Sequence, residues 1–355
     1  MKIATLSNAS AEHTRRWARW FRSRGHDLRV WSLETPLAGL EAESLPRAPL
    51  PGFLRYPLAL PALRRALERF APDLMDAHYV PNYGLLGALA GRWPLSVTAW
   101  GSDLLVLGRR GPLQRARARF VLRRADLVLA DAANLAGAAR ALGAAPGKVH
   151  MIPWGVDLGL FRLSAERERG LIVSARMHEP VYDLGTILQA VKPVLERDPR
   201  AQLVVTGDGS LRAGLERQAA ALLPAGRWRF VGRLAPDELA ALLARADVYL
   251  SASLTDSTSI SLLEAMAAGA VPVVSDIEGN REWVAEGDGA RLFPCGDAAA
   301  LTIALERALG DAEWVVAARA RNRRVIEARA DRELNLSRIE AMFAGLASTW
   351  RGGRR

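Results

Sequence analysis

The feature that most narrows the fold of this 355-residue chain is a repeated alternation. Short apolar runs at 3–6, 28–33, 74–77, 95–99, 127–130 and 149–152 are separated by stretches with helical spacing, such as Trp17, Trp20 and Phe21, or Leu85, Leu86 and Leu89. The pattern restarts at 171–174, 203–206, 230–231, 248–250, 271–274 and 291–293. Strands that alternate with helices predict parallel sheets covered by helices. Two such series predict an α/β chain of two doubly wound, Rossmann-like domains, 1–160 and 161–332, with a linker near 157–169. A ligand is expected between them, at the carboxyl ends of the strands. Trp17, Trp20 and Phe21 are assigned to the core. Residues 36–61 are rich in Pro and aperiodic, and are read as one long loop.

Length agrees, since 355 residues exceed one typical core. The single cysteine, Cys295, excludes an intrachain disulfide and fits a reducing compartment. The apolar run at the N-terminus is too short for a signal peptide, and no stretch reaches the roughly 18 apolar residues of a membrane span. A cytoplasmic protein is expected. The net charge of +10 is uneven: residues 1–160 hold 22 Lys/Arg against 12 Asp/Glu, whereas 161–355 hold 26 of each. The first half is thus expected to meet something anionic: a membrane surface, a phosphorylated acceptor or nucleic acid. Residues 109–124, RRGPLQRARARFVLRR, carry seven arginines over Leu113, Ala116, Phe120 and Val121 at helical spacing. Such a helix suits the inner face of an anionic membrane; the plainer reading is a solvated face over a buried stripe.

The chemistry concentrates in 254–269, LTDSTSISLLEAMAAG. A strand precedes it, a helix closes it, and the small polar residues between present backbone N–H groups at a helix start, a geometry that binds anions. Glu264 lies one turn inside that helix among Leu and Met, where an unpaired carboxylate is costly. Two readings compete. In one, Ser261 and Glu264 form a Ser-x-x-Glu capping box. In the other, Glu264 accepts hydrogen bonds from a ribose diol while the loop amides hold a pyrophosphate. Arg176, Gly207-Asp208-Gly209 and Gly232-Arg233 also follow strands, and a guanidinium with amide-rich turns suits a diphosphate. In the first half, His78, Trp100 and Asp103 close strands and are expected on one cleft rim. The first strand-to-helix loop, 7–16, places Asn8 and His13 there too, but has no glycine and so no dinucleotide fingerprint. Asp-x-Asp, His/Cys clusters and a Walker loop are absent, so no metal and no cofactor are expected.

Asp256 and Glu264, two acids eight apart followed by AMAAGAVPVV, resemble the Glu-x7-Glu motif of the two-Rossmann (GT-B) retaining glycosyltransferases of family 4. IPWGVD (152–157), VSAR (173–176), VTGDGSL (205–211), FVGRLAPDEL (230–239), ADVYLSAS (246–253), DAHYVPNYGLLGALAG (76–91) and SVTAWGSD (96–103) agree in order. The resemblance implies a UDP- or GDP-sugar donor, with Glu264 on its ribose and Asp256 on the transferred sugar. The amides around Ser259, Ile260 and Ser261 hold the pyrophosphate and Arg176 neutralises it. Gly207, Asp208, Gly209 and Arg233 border phosphates and base. His78 stands beside the sugar, and Asn8, His13, Trp100 and Asp103 fall on the acceptor side. The end of the chain, 333–355, crosses back to the first domain. The acceptor expected from the resemblance is a cell-envelope, polysaccharide or lipid-linked glycan. Several positions depart from the family: Asp256 is shorter than Glu, Val181 and Tyr182 stand where a Lys is usual, Trp100 replaces a common His, and the first loop lacks its glycines. The missing Lys keeps open an inactive nucleotide-sugar binder of the same fold. A nucleic-acid binder lacks aromatic-interleaved basic motifs, and a nicotinamide dehydrogenase lacks G-x-G-x-x-G.

Overall fold

A computed structural model describes residues 1–47, 49–50, 52–106, 111–164 and 166–352. The chain forms two compact units, Met1–Ile152 with Ser337–Arg355, and Pro153–Leu336. The first boundary therefore falls before residue 160, and the return falls after residue 333. The displaced boundary has a packing cause. Val156 N donates to Ala330 O at 2.8 Å, Arg332 N donates to Val156 O at 3.1 Å, and Val156 and Phe161 are buried in the second core. The segment read as a linker thus begins against the second core, through Phe161 with Leu158 and Leu160 packed beside it.

The sheet of the first unit is built from β1 (Lys2–Leu6), β2 (Asp27–Ser32), β3 (Glu43–Ser44), β4 (Leu74–His78), β5 (Leu95–Thr98), β6 (Leu127–Ala130) and β7 (Val149–Met151), in the order β3-β2-β1-β4-β5-β6-β7. Every pairing is parallel. Both faces of β1 and β4 are buried, as helices on both sides of a parallel sheet require. The chain winds outward from β1 to β3 and then restarts at β4 on the other side, so β1 and β4 flank the switch point. In the second unit β8 (Leu171–Ala175), β9 (Gln202–Thr206), β10 (Trp228–Gly232), β11 (Val248–Ser251), β12 (Val271–Ser275), β13 (Ala285–Glu286) and β14 (Gly289–Phe293) run in the order β10-β9-β8-β11-β12-β14-β13. Its switch point lies between β8 and β11.

The doubly wound reading holds, with two local corrections. Residues 36–61 are not one loop: β3 and the helix Gly52–Leu58 lie inside them, and Pro61 opens the helix Leu60–Phe70. Pro57 within the first helix and Pro61 in the first turn of the second hide the periodicity, although proline is tolerated in a first turn. The basic helix is Pro112–Arg124, and it buries Ala118, Val121 and Leu122, whereas Leu113 and Phe120 are 57% and 40% exposed. The helix carries two stripes at helical spacing, and the sequence alone does not choose between them. Arg109 and Arg110 lie outside the described residues. Trp17, Trp20 and Phe21 are core, and the last helix, Arg332–Gly352, completes that core with Phe343, stacked on Phe21 at 5.6 Å.

Candidate functional site

In the second unit, the ends of β8 and β11 bring the sequence candidates together. Arg176 follows β8. The loop after β11 leads into the helix Ile260–Ala268, which Ser259 caps through its hydroxyl, accepting from Leu262 N at 3.3 Å. The cap is therefore Ser259, and the Ser261–Glu264 capping box is overturned. Ser261 lies in the first turn, where its hydroxyl meets Tyr249 Oη at 2.8 Å and accepts from Arg176 at 3.1 Å. Arg176 also donates to Ser259 Oγ and to Asp256 Oδ2, the latter at 2.5 Å. Its guanidinium lies 4.2 Å from the centre of the Tyr182 ring. Burial is the largest single effect and works against its charge, but Asp256, Tyr249 and Tyr182 together outweigh it and hold the Arg176 pKa above the ordinary value. The amides of Ile260 and Ser261 open the helix and have no acceptor inside it, the usual condition of a first turn. Glu264 is 4% exposed among Leu262, Leu263 and Met266.

Gly207 begins the turn after β9 with φ of 122°, and a Cβ there would lie 2.1 Å from Arg176 O. Gly207 N donates to Gly232 O at 2.8 Å, which ties that turn to the end of β10. Asp208 Oδ1 accepts from Gly209 N at 2.9 Å, and a Cβ on Gly209 would lie 2.6 Å from His178 O. Arg176, Gly207 and Gly209 are thus backbone neighbours, while Arg233 is exposed beyond Gly232. Sequence reasoning missed Tyr182 and Tyr249, which hold Arg176 and Ser261. The signal for the former was Tyr182 near the vacant Lys position.

In the first unit the candidates split. His78, at the end of β4, is fully buried: Nε2 lies 2.8 Å from Asp76 Oδ2, whose Oδ1 accepts from Thr98 Oγ1 at 3.1 Å. Trp17 and Trp100 both present edge contacts to the His78 ring, at 5.0 and 5.8 Å between centres, and His13 meets Trp100 at 5.7 Å. His13, His78 and Trp100 therefore form one aromatic group at the switch point. Asn8 Oδ1 accepts from Ser10 N at 2.8 Å and shapes the first loop. That loop is pinned by Ala9 N donating to Ser32 Oγ at 3.0 Å. Asp103 is not a rim residue. It is fully buried, accepts from Val80, Trp100 and Leu104 N–H groups at 2.9–3.1 Å, and burial pushes its carboxyl up to about 6 against those amides.

Residues 168–311 match the family described as "Glycosyl transferases group 1", and residues 8–155 match a "Glycosyl transferase 4-like domain". The chain belongs to the family 4 glycosyltransferases. Within this family it is 35% identical to phosphatidyl-myo-inositol mannosyltransferase of Mycolicibacterium smegmatis over 167 residues, which are 45% of this chain and 42% of that one. It is 29% identical to the sulfoquinovosyl transferase SQD2 of Arabidopsis thaliana over 294 residues, 75% of this chain and 56% of that one. The chain thus spans about half the length of these curated relatives. Anabaena HepE in complex with UDP and glucose covers 97% of this glycosyltransferase-family chain and 100% of its own, with a TM-score of 0.82 at 18% identity, a likeness of fold.

Proposed function

We propose that this protein is a retaining glycosyltransferase that moves a hexose from a nucleoside diphosphate donor to a polysaccharide or lipid-linked acceptor of the cell envelope. The observation that carries the reading is the group formed by Arg176, Asp256, Ser259 and Ser261 beside the Gly207–Gly209 turn, at the second unit's switch point. A buried guanidinium, a helix start and a glycine turn that admits no Cβ present donors to a diphosphate. Asp256 holds Arg176 in place before the donor arrives. Glu264 takes the ribose diol, and Asp256 turns to the sugar as the diphosphate claims Arg176. Catalysis is then positioning and stabilisation of the departing diphosphate. The resemblance puts His78 on the sugar side; because it is fully buried between Asp76, Trp17 and Trp100, the part we assign it is to position that end of β4 rather than to touch the sugar. The mannosyl- and sulfoquinovosyl-transferase names of the relatives, and UDP in the complex of similar fold, support a nucleotide-sugar donor.

Incubation with UDP- and GDP-hexoses and a panel of polyprenyl- and inositol-linked acceptors tests this. Product with the donor's anomeric configuration, formed equally well in EDTA, is expected. No product with any donor, together with tight nucleotide binding, supports the second reading, a nucleotide-sugar binder. That reading is favoured by Tyr182, whose ring centre lies 4.2 Å from the Arg176 guanidinium at the place where the resemblance leads one to expect a Lys.

A further inference from the structure

The positive charge of the first half includes cations far from the candidate residues. A cavity of about 360 Å³ opens in the first unit beside Met75, Leu95 and Asp126, at the amino ends of β4, β5 and β6. His78 and Thr98 end β4 and β5 at the opposite sheet edge. Arg92, Arg123, Arg124 and Lys148 line the cavity, together with Trp93 and Trp350 from the last helix.

The charges in this wall are unbalanced. Among the described residues no carboxylate lies within ion-pair distance of Arg123 or Arg124, both of which are exposed. Asp126 is already engaged: one oxygen accepts from Leu95 N at 3.0 Å, and the other lies 3.8 Å from Lys148 Nζ. Arg92 is drawn to Glu68 at 3.0 Å. Arg123 and Arg124 thus leave this wall with a net positive charge, which draws anions even where solvent partly screens it. Guanidinium forks match phosphate oxygens. Indoles offer flat faces for a ring, and the volume falls in the range of small-molecule pockets.

We propose that this cavity binds a phosphorylated ring compound, a sugar phosphate or mononucleotide, with Arg123 and Arg124 on the phosphate and Trp93 and Trp350 against the ring. The site stands apart from the donor-binding reading and does not depend on it.

Calorimetry and tryptophan fluorescence on the full chain test the site with glucose 1-phosphate, AMP and inorganic phosphate, alongside vesicles of phosphatidic acid or phosphatidylcholine. Glucose 1-phosphate or AMP is expected to bind more tightly than inorganic phosphate. Arg123→Gln/Arg124→Gln weakens that binding about tenfold or more, with an unchanged circular dichroism spectrum. Trp350→Phe removes part of the fluorescence response, and Arg176→Ala leaves the affinity unchanged. The proposal is overturned if neither ring compound binds, or if the folded double variant binds as tightly as the parent. It also falls if inorganic phosphate matches the ring compounds, or if only phosphatidic acid vesicles are bound, which marks a membrane contact instead.

Discussion

At the scale of single residues, the ion pair between Arg176 and Asp256 decides most. Their side chains are 8% and 20% exposed, so the pair is little screened by solvent. Breaking a buried pair leaves an uncompensated charge, which costs more than the pair's net contribution. Asp256→Asn is expected to lower turnover by about a hundredfold or more, the order found when one stabilising group is lost from a reacting centre, with the loss read in single-turnover rates. Glu264→Ala is expected to fold normally and to reduce transfer by orders of magnitude; wild-type rates in the folded variant would remove the ribose role. For His78→Ala, turnover should fall while donor affinity holds, and presteady-state titration separates the two. The sequence named Arg176, Asp256, Ser259 and Ser261 but not their mutual contacts. Residues 176 and 256 meet only because β8 and β11 are neighbours, and strand order is not written in any local pattern. Asp103 was misplaced for a similar reason: its three amide donors come from three separate residues, and no spacing in the chain reveals their convergence.

At the scale of elements, the turns that carry the site tolerate little. Gly207 combines a φ of 122° with a neighbouring carbonyl 2.1 Å from any added Cβ. Gly207→Ala should therefore cost roughly 1–3 kcal/mol from strain alone, visible as a lower melting temperature, and should weaken nucleotide binding further by pushing Arg176 aside. Ser259→Ala removes a helix cap and an Arg176 partner together; the cap accounts for about 1 kcal/mol. The central strands were legible, because burial on both faces forces a nearly continuous apolar run, whereas the edge strand β10 alternates exposed and half-buried residues and showed only Phe230 and Val231. The two-residue strands β3 and β13 leave no such mark. Prolines masked the helix Gly52–Leu58, and the alternative stripe on Pro112–Arg124 misled because Leu113, Ala116 and Phe120 share its period.

At the scale of the whole molecule, charge and titration set the behaviour. Asp103 carries a folded pKa of about 6, above the ordinary carboxyl value near 4. Between those values the unfolded chain has released its proton while the folded one keeps it, so stability falls as pH rises from about 4 to 6, by at most about 3 kcal/mol. Asp103→Asn should flatten that stretch of a melting-temperature profile. The +10 charge, all of it in residues 1–160, leads us to expect anionic vesicles to recover more protein than neutral ones at low salt, with the difference lost at high salt. Among the described residues no helix is long and apolar enough to cross a bilayer. The tail Ser337–Arg355 bears on how the gene can be divided. A fragment stopped after Ile152 would expose the faces of Trp17 and Phe21 that Phe343 now covers, and would leave His26 without Glu340. Such a half-gene product is expected to aggregate, whereas splicing codons 337–352 behind codon 152 through a short flexible bridge should return a monodisperse domain.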